Sequence, residues 1–276
     1  MHVSNDRQKE NPMITRHLTA LAVRDTALRK QALKEILESE GLPYTLQEQE
    51  PSFKVPLGIT NYVIEPYDSS PSVLLCAHYD AYPGSLGAND NASSVCILID
   101  LAKELRQHGI NARIAFFDGE ENKQIGSKFY VSEIDSNSIT GVINLDLCGF
   151  GDSIVMTKKG KLKKTDLKAF DDKKFLKSNL INLLKYLPPS DDLSFQRSFP
   201  TISLSIVPYW DVQYLKILAT YGGGFFGRPP EYDMIFEQME ISTTMHGGYR
   251  DSPEYVEAES MQKVYNFLLK GLIESQ

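Results

Sequence analysis

The sequence predicts a single α/β domain whose largely parallel sheet is covered by helices. Short apolar runs alternate along the chain with longer segments of helical spacing, which is the pattern of β-α-β units. The 276 residues are 42% hydrophobic and 24% charged, a composition typical of a globular protein with a sizeable core. No repeat or low-complexity linker divides the chain, so we expect one domain at residues 13–276 after a polar tail at residues 1–12.

The first elements are a helix and three candidate strands. Leucines fall near helical spacing over residues 14–39, and Gly41-Leu42-Pro43 ends that pattern. Two β-type segments follow at residues 44–47 and 61–65. The run Ser72-Val-Leu-Leu-Cys-Ala77 is apolar without alternation, which is typical of a strand buried on both faces.

Strands and helices continue to alternate through the rest of the chain. We expect helices at residues 93–107, 124–134, 175–186 and 258–273, and strands at residues 112–117, 140–145, 154–157 and 201–207. Residues 209–239 are the least regular stretch and contain glycines at 222–224 and Pro229-Pro230. This pattern favours a long loop, often functional in a compact domain. We expect it to form the rim of a substrate pocket, with Phe225, Phe226, Tyr232 and Phe236 offering apolar area. The alternatives are a surface excursion packed by its own aromatic residues and a dimer contact.

Charge and cysteine content exclude several classes of protein. A net charge of −7 argues against nucleic acid as a partner, and the lysine-rich residues 158–164 are interpreted as a solvated loop. The first residues carry no apolar core, and no apolar run approaches the ~20 residues of a bilayer span, so we expect neither a secretory signal nor a membrane partner. Three cysteines in apolar segments indicate reduced core thiols, which favours a cytoplasmic location.

Polar side chains follow the predicted strands at the end where ligands gather in α/β sheets. They are His78 and Asp80, Asp90, Glu120 and Glu121, Asp146, and His246. Any one of them alone is more often a helix cap or a hydrogen-bonding partner than a metal ligand. Together, two imidazoles and three carboxylates form a set of nitrogen and oxygen ligands suited to zinc.

The charges of this set favour two metal ions over one. Asp90, Glu121 and Asp146 with a bridging hydroxide carry four negative charges, which two divalent cations neutralise. Glu120 is then left to act as a general base. Asp80 is two residues from His78, where it is placed to accept a hydrogen bond from the imidazole and fix its tautomer.

Four motifs in this order resemble the di-zinc aminopeptidases, the family of bacterial leucyl aminopeptidase, glutaminyl cyclases and glutamate carboxypeptidase II. They are His78-Tyr-Asp-Ala-Tyr-Pro-Gly-Ser-Leu-Gly-Ala-Asn-Asp-Asn-Ala-Ser, Phe117-Asp-Gly-Glu-Glu-Asn, Asn144-Leu-Asp-Leu and Met245-His. Pro189-Ser-Asp-Asp192 also resembles the family's Ser-Asp-His segment, with Asp192 in place of His. After His246 the chain departs from the family's usual Thr-Pro-x-Asp continuation.

The resemblance implies a role for each of these residues. One zinc ion would be held by His78, Asp90 and Asp146, and a second by Asp90, Glu121 and His246, with Asp90 bridging and other divalent metals as alternatives. Glu120 would be the general base, and Asp80 the partner of His78. The implied fold is a three-layer α/β/α domain of zinc-peptidase type, with a mixed, mostly parallel central sheet.

The expected activity is removal of N-terminal residues from peptide substrates, and three alternatives stay open. A glutaminyl cyclase-like acyltransferase would work with one zinc and predicts a degraded site around His78. A carboxypeptidase would need a cation for the terminal carboxylate, such as Arg197, Arg228 or Arg250. A binding module that keeps the fold without catalysis would need neither the ligands nor Glu120. The oligomeric state is left open.

Overall fold

The fold is built on one eight-stranded sheet. A computed structural model describes residues 13–52, 55, 57–221 and 229–276, so the expected polar tail lies outside the described residues. The strands are β1 (Thr45–Gln49), β2 (Ile59–Ile64), β3 (Ser72–His78), β4 (Ala112–Phe117), β5 (Ile139–Leu145), β6 (Ser153–Lys159), β7 (Asn182–Leu183) and β8 (Thr201–Val207). Their order across the sheet is β1-β2-β4-β3-β5-β8-β6-β7.

The four central strands are parallel. β4, β3, β5 and β8 run in one direction. On one flank β2 pairs antiparallel with both β4 and β1, and on the other β6 pairs antiparallel with β8 and parallel with the short edge strand β7. The carboxyl ends of β3, β4 and β5 therefore meet at one edge of the sheet, where polar residues follow each of them. The mixed, mostly parallel sheet confirms the predicted fold class.

Helices cover both faces of the sheet. They are α1 (Leu18–Leu21), α2 (Thr26–Ser39), α3 (Ser93–Gln107), α4 (Ile125–Glu133), α5 (Lys173–Ser178), α6 (Asp192–Phe195), α7 (Asp211–Tyr221), α8 (Pro230–Glu237) and α9 (Ala258–Glu274). Neighbouring strand residues point to opposite faces, so Leu75 packs in the cluster that contains α2, α3 and α9, while Leu74 packs with α4 and α6. A third cluster joins Val207 of β8 to Leu215 of α7. The three layers follow from this alternation.

The helix expected at residues 14–39 is broken into α1 and α2. Asp25 has extended backbone angles, and its carboxylate accepts a hydrogen bond from the Leu28 N–H at 3.0 Å, so it caps a new helix. The leucine spacing continues across the break because both helices bury their leucines against the same core. Periodicity alone therefore did not locate the interruption.

Two other expectations differ from the structure. The helix expected at residues 175–186 ends with α5, because Leu180 adopts a left-handed φ of 55° and the chain then enters the edge strand β7. Within the stretch expected to be a loop at residues 209–239, the described residues form α7 and α8. Pro230 is the first residue of α8, where its missing N–H costs no hydrogen bond, so the proline pair marks a helix start.

Cysteines and apolar segments give no sign of cross-links or membrane spans. Cys76, Cys96 and Cys148 are buried free thiols, as expected for core residues. None of the helices in the described part of the chain has the length and hydropathy that a membrane span requires. The lysine-rich stretch contributes one ion pair, Lys158 with Asp171, and its other lysines are exposed.

A cluster of ionic contacts around Glu40 joins the N-terminal segment to α2 and α3. The Glu40 carboxylate accepts a hydrogen bond from Arg16 Nε at 3.0 Å, lies 2.6 Å from His17 Nε2 and also contacts the Lys103 ammonium. The hydrogen bond from Arg16, reinforced by Lys103 and His17, lowers the pKa of Glu40 to about 2. The carboxylate therefore favours the folded chain wherever it is ionised.

Replacing Glu40 with glutamine is expected to lower the free energy of unfolding at pH 7 by about 1–3 kcal/mol, because charge-assisted hydrogen bonds are lost. Folding lowers the pKa of Glu40 from 4.5 to about 2, so its stabilisation is present above pH 4.5 and is lost as the pH falls toward 2. The difference in the free energy of unfolding between wild type and Glu40→Gln should therefore shrink below pH 4.5. Urea unfolding of both proteins at pH 7 and pH 3 measures this difference.

Glu38→Gln is the matched control, because Glu38 lies two residues before Glu40 at the end of α2 but is exposed, with Lys34 at 4.0 Å and a hydrogen bond from the Tyr44 hydroxyl at 3.2 Å. Its effect should stay within about 0.5 kcal/mol. Equal unfolding free energies for wild type and Glu40→Gln at pH 7 would contradict the assignment.

Candidate metal centre

The seven predicted site residues meet at the carboxyl edge of the central strands. His78 is the last residue of β3, Asp146 follows β5 directly, and Glu120 and Glu121 lie just after β4. Two remaining ligand candidates come from elsewhere. Asp90 sits in an irregular turn at Ala88–Ala92 that leads into α3, and His246 follows a 3-10 turn at Glu240–Thr244.

The side chains form two groups of three that share Asp90. In the first group, His78 Nε2 lies 3.4 Å from Asp90 Oδ1 and 3.6 Å from Asp146 Oδ1. In the second, His246 Nε2 lies 3.9 Å from Asp90 Oδ2 and 3.7 Å from Glu121 Oε2. The two oxygens of Asp90 thus face different groups, the arrangement expected of a bridging carboxylate.

The turn that carries Asp90 is tied to the loops of the other ligands. The Asp251 carboxylate accepts hydrogen bonds from the backbone N–H groups of Asn89 at 2.9 Å and of Asp90 at 3.2 Å. The Asn89 side chain donates to Thr244 Oγ1 at 2.8 Å and accepts from the Gly149 N–H at 2.7 Å. These bonds join the Asp90 turn to the segments around His246 and Asp146, which fixes the spacing of the two groups.

Asp80 holds the loop after β4. Its two carboxylate oxygens accept the backbone N–H groups of Glu120 at 3.0 Å and Glu121 at 3.1 Å. His78 Nδ1 lies 3.1 Å from the Asp80 carbonyl oxygen and 3.4 Å from its carboxylate. Asp80 is thus placed to orient His78, and it also positions both glutamates, a contact that the spacing of the motif did not reveal.

Two acidic residues of the site were missed in the sequence. Asp251 lies five residues after His246 and was hidden by the unusual segment that follows that histidine. Asp191 is fully buried, and neither of its carboxylate oxygens has a hydrogen-bond partner in the described chain. Burial raises the pKa of Asp191 well above its ordinary value, with further repulsion from Glu120 and Asp80. Its place in the Pro189-Ser-Asp-Asp192 segment was the available signal.

The electrostatics of the cluster favour a cation between its members. Burial raises the pKa of Glu120 to about 7, and burial together with repulsion from Asp90 raises the pKa of Glu121 to about 8. Burial opposes protonation of His78, but Asp146, Asp80 and Asp90 outweigh it and raise the pKa of the imidazole well above its ordinary value. All three pKa shifts reflect the concentration of buried carboxylates around His78, which a cation would offset.

The donor atoms of both groups are of the kind that zinc prefers. A tetrahedral zinc with bonds of ~2.0–2.2 Å places its nitrogen and oxygen ligands roughly 3.3–3.6 Å apart. The first group matches this at 3.4 and 3.6 Å, and the second is slightly wider at 3.7 and 3.9 Å. His78 Nε2, Glu121 Oε1 and Asp146 Oδ1 are buried and have no hydrogen-bond partner among the described residues. Buried polar atoms of this kind normally have a partner, and a coordinated metal satisfies them.

A cavity of about 320 Å³ opens beside these residues. Asp90, Glu120, Asp146 and His246 line one end of it. The other walls are mostly apolar and come from β8, α7, α8, the residue at 147 and the segments at residues 187–189 and 239–245. Their apolar residues are Leu147, Leu187, Pro188, Pro189, Val207, Leu215, Tyr232, Phe236, Met239, Ile241 and Met245, and their polar residues are Ser203, Ser205 and Asp233. Five residues of the stretch at 209–239 line the cavity, whereas Phe225 and Phe226 lie outside the described residues.

Comparison with known proteins gives the same family as the motifs. The sequence model of peptidase family M28 matches residues 61–223, which is more than half of the chain. Aminopeptidase YwaD of Bacillus subtilis is 34% identical over 82 residues, covering 28% of this chain and only 18% of the relative. The chain therefore aligns with less than a fifth of that relative's length.

Solved structures share the fold. The Legionella pneumophila LapA aminopeptidase superposes with a TM-score of 0.62 and 15% identity, covering 95% of this chain and 70% of LapA. A Bacteroides thetaiotaomicron glutaminyl cyclase superposes with a TM-score of 0.63 and 20% identity over 95% of both chains. The likeness extends to proteins with two different activities, so it is the site that has to distinguish them.

Proposed function

We propose that this chain, which belongs to peptidase family M28, is an aminopeptidase that hydrolyses the N-terminal peptide bond with two zinc ions bridged by Asp90. One observation carries the proposal. The two oxygens of Asp90 face two separate ligand groups, His78 with Asp146 and Glu121 with His246, within 4.8 Å in each group. A single-metal protein has no need for a second complete group around the shared carboxylate.

Zinc held by His78, Asp90 and Asp146 and by Asp90, Glu121 and His246 would supply a Lewis acid for the peptide carbonyl and for the attacking water. Glu120 takes the proton from the attacking water and passes it to the departing amine. The Gln124 amide donates a hydrogen bond to Glu120 Oε1 at 3.1 Å, and no described residue bonds Oε2. Oε2 is therefore the oxygen that carries the proton, while Asp80 holds the backbone of Glu120 in place.

The cavity next to Glu120 receives the side chain of the N-terminal residue. Its mostly apolar walls favour apolar side chains, and its volume accommodates large ones. No lysine or arginine lines it among the described residues. Arg197 is exposed, Arg250 pairs with Glu240, and Arg228 lies outside the described residues, so recognition of a C-terminal carboxylate is not supported.

The central experiment measures zinc per chain and turnover of three substrate sets by the same preparation. They are aminoacyl-anilides, peptides with blocked N-termini for carboxypeptidase activity, and peptides with N-terminal glutamine for cyclisation. We expect two zinc ions and hydrolysis of anilides with large apolar residues. One zinc ion with cyclisation alone identifies a cyclase, and two zinc ions without turnover of any set identify a binding module.

Asp90→Ala is expected to lose both zinc ions, because Asp90 is the only proposed ligand that the two ions share. His246→Ala is the matched comparison and should lose only the ion held with Glu121. Metal analysis of the purified, folded proteins measures both. Two retained ions in Asp90→Ala would show that Asp90 does not bridge.

Glu120→Gln is expected to keep two zinc ions and the wild-type melting temperature but to lower kcat by about 10²–10⁴-fold. The amide has the shape of the carboxylate but cannot accept the proton, and a general base contributes a factor of that size. Steady-state kinetics with parallel metal analysis measures the effect. A kcat close to that of the wild type would show that Glu120 is not the general base.

Ser205→Leu is expected to lower kcat/KM for anilides of phenylalanine and leucine at least tenfold relative to alanine anilide. Ser205 lies on β8 and lines the cavity, so the larger side chain takes up space meant for the substrate. Ser198→Leu, at an exposed position before β8, is the control. If the ranking of kcat/KM among the anilides and the zinc content both stay unchanged, this cavity does not select the N-terminal side chain.

A further inference from the structure

Arg29 is a buried arginine on α2, outside the residues that the family model matches. Its side chain is 2% exposed, and no other lysine or arginine in the described chain is buried to this degree. Its guanidinium donates hydrogen bonds to three carbonyl oxygens, those of Val23, Leu86 at 2.8 Å and Gly87 at 3.5 Å. No carboxylate of the described chain forms an ion pair with it, which is unusual for a buried charge.

Two of these three carbonyls belong to the start of the Asp90 turn. Gly87 precedes Ala88–Ala92 directly and has a left-handed φ of 60°. A Cβ atom at Gly87 would lie 2.5 Å from Arg29 Nη1, so the guanidinium packs against this glycine at the closest distance that the backbone permits. The turn is thus held from the N-terminal side by Arg29 and, through the amides of Asn89 and Asp90, from the other side by Asp251.

We propose that Arg29 is a positioning residue for the metal pair, which sets the place of the bridging Asp90 by clamping the carbonyls of Leu86 and Gly87. The inference rests on the proposed dinuclear site. It makes α2 a part of that site, although no residue of α2 forms a hydrogen bond or an ion pair with a proposed ligand side chain. A guanidinium suits this task because its planar group of N–H donors can bond several carbonyl oxygens in fixed directions, whereas an ammonium is a compact charge without that geometry.

The charge of Arg29 and its hydrogen bonds act on metal binding in opposite directions. The charges that face the guanidinium most strongly are Asp80, Asp251, Asp90 and Glu121. A positive charge among them repels a divalent ion, so its removal alone would tighten zinc binding. Loss of the clamp instead loosens the Asp90 turn, and removal of a group that orients a ligand typically weakens metal affinity by about 10–100-fold.

The test compares two variants. Arg29→Lys keeps the positive charge but loses the planar guanidinium donors, and Arg29→Met loses both but keeps a side chain of similar length. Zinc affinity is measured by competition with a chromophoric chelator, and ligand geometry by the visible spectrum of the Co²⁺-loaded protein. We expect both variants to bind zinc about 10–100-fold more weakly than wild type and to show altered Co²⁺ bands. Arg29→Lys should fold even if Arg29→Met does not.

Ile36→Ala is the matched control, because Ile36 is buried on the same helix two turns from Arg29 and its apolar side chain cannot form a hydrogen bond with the Asp90 turn. It should lower the melting temperature and leave zinc affinity and the Co²⁺ spectrum unchanged. Unchanged or tighter zinc binding in both Arg29 variants overturns the inference while the dinuclear site stands. A wild-type chain that takes up no zinc overturns the proposed function as well.

Discussion

A concentration of negative charge at one edge of the sheet governs the rest of the architecture. The carboxylates that converge there are Asp80, Asp90, Glu120, Glu121, Asp146, Asp191 and Asp251, all buried or half-buried. Carboxylates removed from water repel one another strongly, and such a group persists only with countercharge and donated hydrogen bonds. Arg29 supplies one buried positive charge, backbone N–H groups stabilise Asp80 and Asp251, and two divalent cations would supply four more charges.

The same constraint explains why backbone amides, more than side chains, hold the ligand loops. A carboxylate that accepts two backbone N–H groups fixes the path of the main chain, and Asp80 and Asp251 each do so for a neighbouring loop. Asp80 thus ties the His78 loop to the loop of Glu120 and Glu121, and Asp251 ties the segment after His246 to the Asp90 turn, whereas the amide side chain of Asn89 joins that turn to the Asp146 loop. The two ligand groups are therefore linked by these hydrogen bonds between loops as well as by the Asp90 side chain. A shift in the backbone of one loop should change the ligand positions in both groups.

The sequence predicted the central sheet, and it singled out the side chains that the structure brings together at the edge of that sheet, because both leave local signals. Uninterrupted apolar runs such as residues 72–77 mark buried strands, and polar residues directly after them mark the edge of the sheet. Interactions between distant segments leave no such signal. Arg29 and Asp251 act 58 and 162 residues away from the backbone groups they bind, and Asp25 breaks a helix whose leucine spacing continues. The proline pair before α8 showed that one local signal can serve either a loop or a helix start.

The long sequence separation between Asp90 and Asp251 has a consequence for the order of events in the cell. The two residues are 161 positions apart, and a ribosome adds roughly 5–20 residues per second, so about 8–30 s pass between their syntheses. Throughout that interval the Asp90 turn lacks the acid that accepts hydrogen bonds from its backbone amides, and for nearly all of it His246 has not been synthesised. Metal uptake at the proposed shared carboxylate would therefore wait until synthesis has passed Asp251, and until then the nascent chain would lack the stabilisation that bound ions provide.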